Sequence, residues 1–181
     1  MLKVFKQLNS FKERVAIESE GIEFSYAHLI EKSDLIASFL LGEKKDLMEE
    51  RIGFLINPNI DYICTLWGIW KAGGIAVPLS LSAKENELDH YISDSAIKLI
   101  ITSDSCQQKE NISNKNKLDV KNLEDLLLED KSKIPDLSQE RKAMILYTSG
   151  TTNKPKGVVY THKNVEAQIS ALVEAWEWTK E

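Results

Sequence analysis

The sequence predicts an α/β fold, a mostly parallel sheet flanked by helices, and three observations carry that prediction. Short apolar runs of strand length alternate with segments whose apolar residues recur at helical spacing, as expected of strands joined by covering helices. Glycine, proline, asparagine and serine mark the joints between them. Towards the end of the chain, a stretch rich in hydroxyls, lysines and glycines is held between two apolar runs. With 181 residues, 43% of them hydrophobic and 28% charged, the chain can form one domain with a sizeable core. No run reaches the ~18 apolar residues of a membrane span. No secretion signal is recognisable at the start, so the expected location is the cytoplasm.

Residues 1–11 read as a short amphipathic helix with Leu2, Phe5 and Leu8 on one side, a lid or packing helix. Residues 14–18 and 22–25 alternate as a hairpin around Glu20-Gly21. Ser25 then caps a helix in which Tyr26, Leu29, Ile30, Ser33, Ile36, Ala37 and Leu40 recur at helical spacing. Residues 51–56 form a continuous run ended by Asn57-Pro58-Asn59, the pattern of a central strand. A helix over 61–72 stops at Gly73-Gly74, and 75–79 is the next strand. On that helix Trp67 and Trp70 share a face, either as core or as a stacking surface for adenine. Cys64 falls in its apolar pattern and reads as a buried, inert thiol, and neither it nor Cys106 has metal-ligand spacing.

Ser82-Ala83-Lys84-Glu85 reads as a capping box opening a helix that runs to about residue 95, and 98–102 is the strand that follows. The polar stretch 107–117 reads as a surface loop and insertion site. Residues 122–128 read as a short helix and 131–139, with Pro135, as a linker. Residues 143–147 and 158–160 are strands. Thr161-His162-Lys163-Asn164 opens a long helix with Val165, Ile169, Leu172, Val173 and Trp176 on one side.

The stretch richest in chemistry is Tyr147-Thr148-Ser149-Gly150-Thr151-Thr152-Asn153-Lys154-Pro155-Lys156-Gly157. Thr148, Ser149, Thr151 and Thr152 offer hydroxyls, Gly150 and Gly157 free backbone N–H groups to turn toward an anion, and Lys154 and Lys156 supply charge. Polyphosphate is the ligand this set suits. Residues 141–165 hold five Lys/Arg and no Asp or Glu, which leaves 18 of the 23 Lys/Arg against all 28 Asp/Glu elsewhere. A positive field focused at one loop of an acidic chain suits a small multivalent anion; nucleic acid needs a wider basic face. The Walker pattern does not fit, because the glycine after Gly150 is Gly157, followed by Val158, with Pro155 where a helix would begin. On residue types alone, a solvated polar hairpin turn stays open beside the phosphate loop. His162 and Lys163, at the first turn of the last helix, read either as further phosphate donors or as a solvated helix start.

The run 147–157 resembles the phosphate-binding signature of the adenylate-forming superfamily, which includes acyl- and aryl-CoA synthetases, luciferases and peptide-synthetase adenylation domains. Phe24-Ser25-Tyr26-Ala27-His28-Leu29 is similar to its first core motif, with His28 where glutamate is common. That glutamate would close a capping box, which His28 does only imperfectly. Trp70-Lys71-Ala72-Gly73-Gly74-Ile75-Ala76-Val77-Pro78-Leu79 resembles the second. Asn153 departs from the usual glycine, and asparagine tolerates the left-handed conformation better than other non-glycine residues.

The resemblance covers essentially all of residues 1–181 and implies the N-terminal part of the superfamily's large domain. It implies a two-step reaction in which a carboxylate attacks the α-phosphate of ATP, giving an acyl-adenylate and pyrophosphate, and a thiol, usually that of coenzyme A, displaces AMP. Thr148, Ser149, Gly150, Thr151, Thr152, Lys154, Lys156 and Gly157 would bind the ATP phosphates. Of these, Ser149, Thr151, Thr152 and Lys156 would stabilise departing pyrophosphate while magnesium shares the charge. The family's later motifs, for adenine, ribose, the hinge and the small C-terminal domain with its lysine, do not occur within the chain. The resemblance therefore assigns it no catalytic residue and no metal ligand, and the isolated polypeptide is expected not to be a competent ligase. Apolar surface left open is expected to favour self-association. Within the superfamily the chain looks most like acyl-CoA synthetases, with similarity to the malonyl-CoA type in the final helix. The competing readings are a non-catalytic nucleotide- or phosphate-binding module and a purely structural domain.

Overall fold

Local signals and crossover connections together build a six-stranded sheet between two helical layers. The computed structural model describes residues 3–19, 21–103, 112, 118–126, 134–148 and 154–179. The chain begins with one turn of helix, α1 (Lys3–Lys6), a 3₁₀ turn (Leu8–Phe11) and an antiparallel hairpin of β1 (Val15–Ser19) and β2 (Ile22–Ser25). There follow α2 (Tyr26–Leu41), β3 (Arg51–Leu55), α3 (Ile60–Lys71), β4 (Ile75–Pro78), α4 (Glu85–Ser95) and β5 (Leu99–Thr102). After these come β6 (Asp119–Asn122), α5 (Leu123–Leu126), β7 (Lys142–Thr148), β8 (Lys156–Thr161) and α6 (His162–Ala175).

The sheet order is β6-β5-β3-β4-β7-β8. Pairings from β6 through β7 are parallel and only β7–β8 is antiparallel. The expected α/β fold with a mostly parallel sheet is the one observed. The chain steps outward from β3 in both directions, through α3 to β4 and back through α4 to β5, as in doubly wound sheets.

Strand alternation divides the core in two. Ile52, Phe54, Ala76 and Ile101 face α2 and α3, whereas Leu55, Ile75, Val77 and Ile100 face α4. The α2–α3 contact is tight because Gly68 has no side chain: a Cβ there would meet Ile36 Cγ2 at 2.5 Å and Ile36 Cβ at 2.7 Å. At the end of α3, the buried Lys71 ammonium donates to Asp34 (2.7 Å) and Ser33 Oγ (2.7 Å). Burial lowers the pKa of Lys71, and its contact with Asp34 works against that shift. Helix starts follow their caps. Ser25 Oγ accepts from His28 N–H (3.3 Å) and Asn59 Oδ1 from Asp61 N–H (3.0 Å). Thr161 and Asn164 exchange bonds as a capping box (3.2 and 2.9 Å).

Three readings need correction. The segment 1–11 is not one helix, since it breaks between α1 and the 3₁₀ turn as Phe5 turns into the core against Trp67 (ring centroids 5.5 Å). The cap of α4 is Lys84, two residues after Ser82, and there the Glu87 carboxylate accepts Lys84 N–H (2.8 Å). An ammonium cannot return that bond, so only half of a capping box forms. Strand β6 went unread because Asp119, Lys121 and Asn122 leave Val120 as its one apolar residue; its parallel pairing with β5 holds it. The short helix lies at Leu123–Leu126, and residues 127–128 of the expected span fall outside the described residues. So does the polar stretch 107–117, save Ile112, which is buried.

Among the described residues no strand pairs with the outer side of β8. Val158 and Val159 are neighbours, so they point to opposite faces of the sheet, and both are exposed (39% and 48%). Along α6, Ile169 and Val173 are exposed and Trp176 beyond its end is too. Among the described residues no helix is long and apolar enough to cross a membrane.

Candidate phosphate-binding site

The loop that leaves β7 stands at the C-terminal end of a parallel strand, the edge where open α/β sheets bind ligands. Its two feet are strands of one antiparallel ladder, with Tyr147 opposite Gly157 and Thr148 opposite Lys156. Thr148 and Lys156 are thus a cross-strand pair, and both are exposed, as is Lys154. Ser149, Gly150, Thr151 and Thr152 lie outside the described residues. Gly157 sits in the ladder, and its visible role there is packing: a Cβ would meet Ile145 Cγ2 at 2.9 Å and the Tyr147 ring at 3.3 Å.

A second element supports the loop. From α4, the His90 ring places Nε2 2.8 Å from the carbonyl oxygen of Pro155 at the exit foot. The Tyr147 hydroxyl, at the entry foot, donates to Asp94 Oδ2 (2.8 Å), with the Tyr91 carbonyl also in reach (3.2 Å). The Tyr91 and Tyr147 rings lie 4.3 Å apart at 33°. Burial first, and then the Asp94 carboxylate, push the Tyr147 phenol well above its ordinary range, so it stays a donor. Sequence reading missed His90, Tyr91 and Asp94. Nothing in the spacing of residues 90–94 ties them to 147 or 155; only the crossover that lays α4 beside β7 and β8 does.

The basic stretch 141–165 is less focused than its composition suggested. Arg141 donates to both oxygens of Asp46 (2.6 and 3.0 Å) and to the Gly73 carbonyl (2.7 Å). Burial alone would raise the Asp46 carboxyl, but hydrogen bonds from Arg141 and Met48 N–H, with the Arg141 charge, bring it below its usual value. Lys142 lies 3.7 Å from Glu49 and Lys163 2.9 Å from Glu140. These three cations sit around the start of β7 and the start of α6, roughly 20 Å from the loop at about 3.3 Å per strand residue. Of the five basic residues of this stretch, Lys154 and Lys156 are the two that lie at the loop.

His162 follows neither reading offered for it. It is 6% exposed, edge-on to Trp70 (ring centroids 5.4 Å, 81°), at the end of the sheet away from the loop. Burial, and then the Arg141 charge, depress its pKa to about 4 against the pull of Glu49, so the ring is neutral at pH 7. Trp67 and Trp70 belong to the core. Trp70 is buried and its indole N–H donates to the Ala143 carbonyl (2.8 Å), while Trp67 packs edge-on to Phe5. Cys64 is the buried thiol expected, pushed up to about 11 by burial. A groove of about 430 Å³ opens where Trp70, Gln139, His162, Val165, Ile169 and Val173 meet, at the foot of α6. Among the described residues no three His, Cys, Asp or Glu side chains stand together as a metal site.

Comparison with known proteins agrees with this architecture. Residues 4–181 match the family described as AMP-binding enzyme. Malonate–CoA ligase of Arabidopsis thaliana is 32% identical over 202 residues, covering 97% of this chain and 33% of the relative. The mitochondrial malonate–CoA ligase of Xenopus laevis is 34% identical over 195 residues, covering 100% of this chain and 34% of the relative. Among solved structures, apo MatB from Rhodopseudomonas palustris aligns with a TM-score of 0.81 at 25% identity, over 93% of this chain and 36% of that one. The chain spans about a third of the length of these curated relatives. With its parallel sheet, its loop at the C-terminal end of β7 and a family match from residue 4 to residue 181, the chain belongs to the AMP-binding enzyme family.

Proposed function

We propose that this chain is the N-terminal portion of an AMP-forming carboxylic acid–CoA ligase and that its β7–β8 loop binds the phosphates of ATP. The observation that carries the reading is the exposed Thr148–Lys156 pair at the mouth of that loop, at the ligand-binding edge of the sheet. A thiol cannot displace an oxygen from a carboxylate carbon until that oxygen becomes part of a good leaving group. Attack on the α-phosphate of ATP makes the mixed anhydride and releases pyrophosphate, which gathers negative charge as it leaves. The Lys156 ammonium and Thr148 hydroxyl face that charge, joined in this reading by Ser149, Gly150, Thr151, Thr152 and Lys154. Loss of one such donor in the complete enzyme costs on the order of 10²-fold in rate. Magnesium, in this reading, arrives with the nucleotide. The names of the relatives favour malonate as the acid.

The test compares the thermal midpoint of this polypeptide and of Lys156→Ala, with and without Mg-ATP or pyrophosphate. Ligand at 100 times its Kd stabilises the folded chain by about 2.7 kcal/mol, and the variant shows a smaller shift. No shift in the unaltered chain refutes the phosphate-loop reading. The same polypeptide forms no adenylate from malonate or other acids in an ATP–pyrophosphate exchange assay; ordinary ligase turnover would refute its standing as only a portion of the enzyme.

A further inference from the structure

We propose that α4 sets the position of the phosphate loop and that His90 is a positioning residue for polyphosphate binding. The inference rests on the phosphate-binding reading and names residues outside the loop that make it work. Both feet of the loop bear on a single turn of α4: Pro155 through His90, and Tyr147 through Asp94, Tyr91 and the stacked Tyr91 ring. That turn is itself fixed, because Leu88 and Ile92 of α4 are buried in the core beneath it. Gly157 completes the arrangement by leaving the space that the Tyr147 ring fills.

The hydrogen bond also fixes chemistry at His90. The Pro155 carbonyl can only accept, so Nε2 carries the proton. Pro155 directly precedes Lys156, so moving that carbonyl moves the backbone from which the Lys156 ammonium reaches. His90 therefore acts on the ligand through Pro155 and Lys156. Water could satisfy the part-exposed carbonyl as well as His90 does, and the bond matters for position more than for stability.

The experiment measures pyrophosphate binding by calorimetry and amide hydrogen exchange over residues 147–157, for the unaltered chain, His90→Ala and His90→Gln. The glutamine amide offers a donor near the position of Nε2. Expected are thermal midpoints close together, faster exchange at 154–157 in His90→Ala with β3 and β4 unchanged, and pyrophosphate binding weakened about tenfold, the scale of one lost hydrogen bond. His90→Gln recovers most of both. Binding and exchange in His90→Ala equal to the unaltered chain overturn the inference alone, and so does equal weakening in both variants. Failure of the unaltered chain to bind pyrophosphate overturns the phosphate reading and this assignment with it; altered exchange would then report a structural clamp only.

Discussion

Acidification should destabilise this domain through His162, and the structure sets the size of the effect. In the unfolded chain the imidazole titrates near 6.5, whereas in the folded chain burial beside Trp70, with Arg141 nearby, holds it to about 4. Between those values the unfolded chain binds a proton that the folded chain refuses. Stability from this group is therefore full above the unfolded value, falls as pH drops through 6.5 and levels off below 4. At about 1.36 kcal/mol per pKa unit, the loss between pH 7.5 and pH 5 is about 2 kcal/mol. Urea unfolding at those two pH values, for the unaltered chain and for His162→Phe, isolates the contribution. Phenylalanine keeps an aromatic ring against Trp70 and removes the titration, and carboxylates such as Asp46 act alike in both proteins. The unaltered chain should lose about 2 kcal/mol more than the variant. An equal loss in both would refute the claim that the ring is buried and neutral.

Gly68→Ala should lower the urea midpoint by the equivalent of about 2–3 kcal/mol, because the new Cβ meets the Ile36 side chain at its own Cβ and Cγ2, which cannot swing away. Adding Ile36→Ala should make the pair cost less than the sum of the two single variants, and simple additivity would refute the steric account. Thr65→Val should raise the thermal midpoint by about 2–4 °C, since the buried Thr65 hydroxyl finds no hydrogen-bond partner among the described residues. A fall in the midpoint would mean that the hydroxyl is satisfied.

Most of the sheet was legible because the parallel strands buried on both sides read as apolar runs, as 51–56, 75–79 and 98–102 do. Helix starts were legible where a short side chain caps its own backbone, as at Ser25 and Thr161. The signals failed where the deciding partner was distant. Lys84 is a poor cap by type, yet α4 begins there. Strand β6 has almost no apolar residue of its own and is held by the register that pairs Leu99–Thr102 with Asp119–Asn122. Thr148 and Lys156, which the loop composition singled out, stand exposed at the two feet of the loop. Gly157 has a packing reason that composition does not reveal.

By itself the sequence determined the order of most elements, most of their limits, the α/β class and the phosphate-loop candidate, because periodicity, caps and turn residues act over a few neighbouring positions. Only the tertiary structure decided that Arg141, Lys142 and Lys163 belong to Asp46, Glu49 and Glu140 instead of a ligand, that His162 is a neutral core residue, and that one turn of α4 holds both feet of the loop. Those outcomes depend on ion pairing, desolvation and packing between segments up to 95 residues apart in the chain. The crossovers of the sheet bring those segments together, and no local pattern encodes which of them meet.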